Sequence, residues 1–137
     1  MMKRPRTLNE VSRRVLSGDQ EFSDALAEFL DTFYLGTEED RDFAIRGRPM
    51  PIDPVSDAYL SATAEHLALQ YKLEVPDWSY KQGHALRKPQ FFGGFESLKA
   101  ILIAESPLAF RRRMLFVSAN ALHRASMFSE NSRLTPN

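Results

Sequence analysis

Leu8, Val11, Val15 and Leu16 stand at i, i+3, i+7 and i+8, the spacing of one face of an amphipathic helix that ends near Gly18. Phe22, Ala25, Leu26, Phe29, Leu30 and Phe33 then hold an apolar stripe for about three turns. The Ser17 to Gln20 spacing ahead of it predicts a capping box. Gly36 closes that second helix, and Thr37 caps a short acidic helix reaching about Ile45. Three prolines between Arg46 and Pro54 make a connecting loop. Asp53 and Pro54, as cap and first helical residue, open a further helix with Leu60, Ala64, Leu67 and Tyr71 as its buried line.

Beyond this point the pattern weakens. Val75-Pro76-Asp77-Trp78 reads as a turn into a short helix, and residues 81–90 as an ordered loop without periodicity. Gly93-Gly94 precede a helix expected to point Leu98, Ile101 and Leu102 inward. Ser106-Pro107 restart the chain, and a last helix is predicted from Leu108 to about Ala125, with Leu115-Phe116-Val117 its one ambiguous stretch. The expected architecture is all-α, a compact single-domain bundle of five to seven helices over residues 1–137. An arm at about 1–6 and a tail at about 126–137 are expected to fray.

Composition narrows the chemistry. The chain has 137 residues and no cysteine, which removes disulfides, thiol nucleophiles and cysteine-based metal sites. No apolar run approaches the roughly 18 residues of a membrane span, and Lys3, Arg4 and Arg6 lead into no signal-peptide stretch, so a cytoplasmic protein is expected. The zero net charge conceals a division. Residues 19–45 hold nine acids and one base, whereas residues 81–137 hold nine bases and three acids.

Within the acidic block, Glu21, Asp24, Glu28 and Asp31 fall within about 80° of one another on the second helix, away from the Phe stripe. Like charges at i+3 and i+4 each cost a few tenths of a kcal/mol, and no base interrupts the row. Three uses stay open: a solvated face, internal pairing with Arg13, Arg14 or Arg111 to Arg113, and a docking surface for a basic partner.

On a continuous last helix, Arg111 projects from within the apolar arc and calls for a buried counter-charge, with Arg112 and Arg113 outside it. Phe116 then falls on the polar side, which implies either a helix break near Leu115 or an exposed aromatic at an interface. Arg112, Arg113 and Phe116 form a second candidate patch. The order of helix, turn at Glu105-Ser106 and arginine-bearing helix has the outline of a helix-turn-helix, the basis of a nucleic-acid-binding alternative.

Catalytic patterns are sparse. No two of His66, His84 and His123 stand at i, i+4, so no metal site is expected, and Ser106 and Ser118 lack a hydrolase elbow. Gly93-Gly94 lack the lysine of a phosphate-binding loop. A small enzyme centred on His84 with Arg87 is a second alternative, and no cofactor is expected.

Pro76-Asp77-Trp78, the run Arg87 to Phe92, the run Glu105 to Arg113, and Glu28-Phe29-Leu30-Asp31 within Ala25 to Tyr34 together resemble a family of small bacterial proteins. Members occur beside nucleotidyltransferase-like genes in pairs like those of toxin–antitoxin systems. The resemblance implies an antitoxin-like role and a nucleotidyltransferase-like partner, and transfers no functional residue. The reading that joins these strands is a non-enzymatic protein-binding module that masks a basic partner, with homo-oligomerisation left open.

Overall fold

The computed structural model describes residues 3–81, 85–92 and 98–128, and its fold is all-α. In chain order come α1 (Leu8–Leu16), α2 (Phe22–Leu35), α3 (Glu38–Arg46), α4 (Pro54–Gln70), α5 (Trp78–Lys81), β1 (Gln90–Phe91), α6 (Lys99–Glu105), α7 (Leu108–Arg111), β2 (Leu115–Phe116) and a 3-10 turn (Ala125–Phe128). No described helix is long and apolar enough to cross a membrane.

Local signals explain the first four helices. Thr7 accepts from the Glu10 amide to start α1. Gly18, at φ +80°, ends it, with the Gly18 amide on the Val15 carbonyl and the Asp19 amide on that of Arg14. The predicted capping box at Ser17 and Gln20 does not form. Ser17 caps the C-terminus of α1, and Glu21, without a side-chain cap bond, precedes α2. Thr37 and Asp40 do make a reciprocal capping box on α3, and Asp53 caps α4 through the Ser56 amide ahead of Pro54.

The α1–α2 hairpin lies at one side, and α4 is the central helix, packed against α3, α5 and α7. Ala58, Ser61, Ala62, Ala64 and Ala68 let neighbours approach it on several sides, so α4 is buried beyond the predicted line of Leu60, Ala64, Leu67 and Tyr71. Phe29, Leu30, Phe33 and Tyr34 of α2 meet Leu8 and Val11 of α1 in the core. Lys72 follows α4 at φ +58°, where the Leu73 amide reaches the Ala68 carbonyl at 2.8 Å. Lys72 is exposed, so Lys72→Gly should relieve this left-handed conformation and stabilise the chain by up to about 1 kcal/mol, read as a raised Tm.

The carboxy-terminal third departs from the predicted long helix. α7 makes a single turn, Met114 turns left-handed at φ +66°, and Leu115-Phe116 run as a strand parallel to Gln90-Phe91. The Gln90 amide reaches the Met114 carbonyl and the Phe92 amide that of Phe116, each at 2.9 Å. The break near Leu115 is thus what occurs, and Phe116 is half-buried, stacked on Phe91 with ring centroids 5.0 Å apart. Ser106 joins the two segments: its hydroxyl accepts from the Val117 amide at 2.8 Å and faces the Leu102 and Val117 carbonyls. Ser106→Ala should therefore orphan the buried Val117 amide and cost about 1–3 kcal/mol in denaturant titration. On α6 only Leu102 turns inward. Leu98 and Ile101, expected to do the same, are exposed because this short peripheral helix packs against β2 by one side.

Pro5 is buried, and the Lys3 carbonyl accepts from Arg14. Ala125–Phe128 fold back on α2 with Met127 partly buried, and the rest of the predicted tail lies outside the described residues.

Candidate functional site

The acidic row of α2 divides into two halves. At its carboxy-terminal end, Asp31 accepts from Arg124 Nε at 3.0 Å and Nη2 at 3.1 Å, and from the Ser126 hydroxyl at 3.0 Å. This fork of guanidinium bonds holds the Asp31 carboxyl below the usual carboxylate range, against a smaller opposing effect of burial. Glu28 accepts from Gln20 Nε2 at 2.9 Å, and Gln20 Oε1 in turn accepts from Arg14 at 3.1 Å. Internal pairing therefore occurs at this end, but through Arg124 and a glutamine relay from Arg14; the Arg111 to Arg113 cluster is not involved. At the other end, Glu21 and Asp24 are exposed, and their carboxylates form no hydrogen bond or ion pair among the described residues.

Beside the row runs an apolar groove of about 260 Å³ between α2, α4 and the segment after β2. Phe22, Leu26 and Leu30 form one wall, and Tyr59 with Phe92 the other. Tyr59 sits edge-on to Phe22 at 5.7 Å and to Phe92 at 5.3 Å, which fixes the rings as a continuous floor. Its phenol is pushed up to about 12 by burial and stays neutral. At 100° per residue, Ala27 lies at the groove edge, with Asp31 about 40°, Asp24 about 60° and Glu21 about 120° further around the helix, so the open carboxylates lie away from the wall of Phe22, Leu26 and Leu30. Arg124 lines the groove and clasps the row at once.

The three consecutive arginines separate sharply. Arg111, expected within a buried arc, is exposed. Arg113, expected outside it, is only 4% exposed: Nη1 donates to Glu65 and to the Ala109 carbonyl, both at 2.6 Å, and Nη2 to the Ser79 carbonyl at 2.8 Å. Arg112 is half-exposed and pairs with the other Glu65 oxygen at 3.3 Å. The rotation follows from the break of α7, after which Arg113 turns in over α4 instead of continuing the wheel. With Arg113 buried and Phe116 committed to Phe91, the second candidate patch of Arg112, Arg113 and Phe116 does not exist as an exposed surface. The helix-turn-helix outline also loses its second helix, since α7 spans four residues.

His66 is half-buried and edge-on to Phe110 at 6.3 Å; burial lowers its pKa, and neighbouring His123 lowers it further against the opposing pull of Glu65. The folded chain binds this proton less readily than the unfolded one, so stability should fall as pH drops through about 6.5. His66→Gln should flatten that acid-side slope in melting curves taken from pH 8 to pH 5. His84, Gly93 and Gly94 lie outside the described residues. No group of three metal-ligating side chains occurs among the described residues. Sequence reasoning missed the groove altogether, because its walls come from positions some 30–100 residues apart and no spacing rule connects them. Compared with models of protein families, with curated proteins and with solved structures, the chain matches none.

Proposed function

We propose that this chain is a non-enzymatic protein-binding module whose α2 face masks a basic surface of another protein. The observation that carries the reading is the open end of the acidic row, Glu21 and Asp24, exposed on α2, a helix whose other side forms one wall of an apolar groove. An interface draws its affinity from apolar anchors in such clefts and its encounter rate and specificity from complementary charge around them. The role as the antitoxin-like member of a gene pair, with a nucleotidyltransferase-like partner in the cytoplasm, is the setting that the family resemblance supplies for this proposal.

The test compares the tagged chain with its Glu21→Lys/Asp24→Lys form in affinity capture from the native host, followed by binding titration of the recovered partner at two salt concentrations. One basic protein recovered at fixed stoichiometry is expected, with affinity reduced at least tenfold by charge reversal at low salt and less at high salt. Equal affinity of both forms at both ionic strengths, recovery of only the chain itself, or recovery of nucleic acid with a steep salt dependence would each overturn the reading.

A further inference from the structure

Two surfaces outside the groove and the open end of the acidic row stand uncovered, and each offers what the other lacks. We infer that a second copy of this chain docks on the cleft between the amino-terminal arm and the α2–α3 corner, setting Ile101 and Glu105 of its α6 against Phe43 and the guanidinium groups of Arg4 and Arg6. Neither Glu21 nor Asp24 takes part, so the contact is additional to the proposed partner binding.

The first surface follows from how the arm is pinned. Pro5 is buried and the Lys3 carbonyl is held by Arg14, while Arg4 and Arg6, on either side of Pro5, are exposed and line a cleft of about 300 Å³. Phe43, 63% exposed, and the exposed Leu35 supply its apolar part. Neither guanidinium makes a hydrogen bond or ion pair among the described residues, and each acts on an acid, Asp31 or Asp40, only at longer range. Asp40 shares the cleft and already accepts from the Thr37 amide at 3.1 Å. Glu38, Glu39 and Asp42 line a neighbouring hollow that also contains Phe43. Acids so close repel a polyanion, whereas two guanidinium forks hold a single carboxylate carried beside an apolar side chain.

The second surface presents that pair. Leu102 is the residue of α6 that turns inward, whereas Ile101 is 49% exposed. Glu105 follows at i+4 on the same side, exposed and with its carboxylate in no hydrogen bond or ion pair among the described residues. Lys99, the base of this helix, points about 200° around from Ile101 and lies over the Phe91 ring at 5.0 Å. The open line of α6 is therefore apolar and acidic. A contact between copies covers an exposed aromatic and an exposed aliphatic side chain and pairs charges that this chain leaves apart. Complementary charge sets its orientation, and the modest extent of both patches makes it weak and concentration-dependent.

Sedimentation equilibrium of the intact chain over a range of concentrations tests this. The weight-average mass should rise above that of one chain as concentration increases, and less so at high salt. Arg4→Glu/Arg6→Glu and Glu105→Lys should each weaken the association at least tenfold. An equimolar mixture of these two variants should regain it, because the acidic edge of the first meets the unaltered cleft of the second. Phe43→Ser and Ile101→Ser, both at exposed positions, should weaken association likewise and keep the test valid where a charge variant fails to fold. The mass of one chain at every concentration, association indifferent to these variants, or loss in both charge variants without recovery on mixing would overturn the inference. Association abolished by Glu21→Lys/Asp24→Lys but kept in Arg4→Glu/Arg6→Glu would place the contact on the acidic row and overturn it as well.

Discussion

Glu65→Ala is expected to destabilise the chain by about 3–5 kcal/mol, the cost of stranding a buried cation. Arg113 is almost wholly enclosed, and Glu65, itself only 5% exposed, supplies its one charged partner among the described residues, where the other two acceptors are the carbonyls of Ser79 and Ala109. Without Glu65, those two carbonyls are the acceptors left to a buried cation whose counter-charge has gone, in a medium that screens weakly. The bonds also tie α4, α5 and α7 together, so the loss should lower the denaturation midpoint without creating a separate early transition. Glu65→Gln keeps an acceptor oxygen and should fall between the wild type and alanine. The pair Glu65→Met/Arg113→Met, which removes both charges, should recover a large part of the loss. Arg112→Ala should cost less than about 1 kcal/mol, because half of that side chain stands in water. A Glu65→Ala cost within about 1 kcal/mol, read by urea titration, would show that Arg113 finds another counter-charge or opens to solvent.

Arg41→Ala is expected to cost about 3 kcal/mol, through a different mechanism. Arg41 is fully buried without a carboxylate partner among the described residues. Its Nε donates to the Phe33 carbonyl at 3.0 Å and Nη2 to the Tyr34 carbonyl at 2.7 Å, at the end of a helix with no base in its own last turn. The guanidinium thus answers the negative end of the α2 dipole from α3. It also lies 4.3 Å from the centre of the Tyr71 ring, which ties both helices to the end of α4. Two charge-assisted bonds at about 1.5 kcal/mol each set the magnitude. Nη1 is buried without a hydrogen-bond partner among the described residues, a desolvation cost that limits the net gain. Arg41→Lys should recover little, since an ammonium cannot fork between two carbonyls and lie flat on a ring. Equal midpoints for the wild type and Arg41→Lys in urea would overturn this account.

The first half of the fold is legible in the sequence because its signals are local. Thr37, Asp53 with Pro54, and Gly18 act within a few residues, and the α2 stripe of Ala25, Leu26, Phe29, Leu30 and Phe33 is buried as its period predicts. The second half is not, because its decisive contacts are distant and its turn carries no mark. Met114 takes a left-handed conformation that glycine or asparagine would have announced, and the strand it starts is stabilised by Gln90 and Phe91, some 25 residues earlier. The error propagates from there: with the wheel continued through Met114, the buried member of the arginine trio is assigned to Arg111 instead of Arg113. The acidic row itself is visible at once, whereas its partial neutralisation by Arg124, 93 positions after Asp31, follows from no pattern in the chain.

That distance has a consequence for synthesis. One wall of the groove, at Phe22, Leu26 and Leu30, leaves the ribosome roughly 60–100 residues before Phe92, His123 and Arg124. A chain interrupted before Leu122 lacks the carbonyl that anchors Tyr34 as well as the later rim. A nascent chain that has not yet passed Arg124 therefore has no complete cleft, and its two walls meet only once translation has gone beyond that residue.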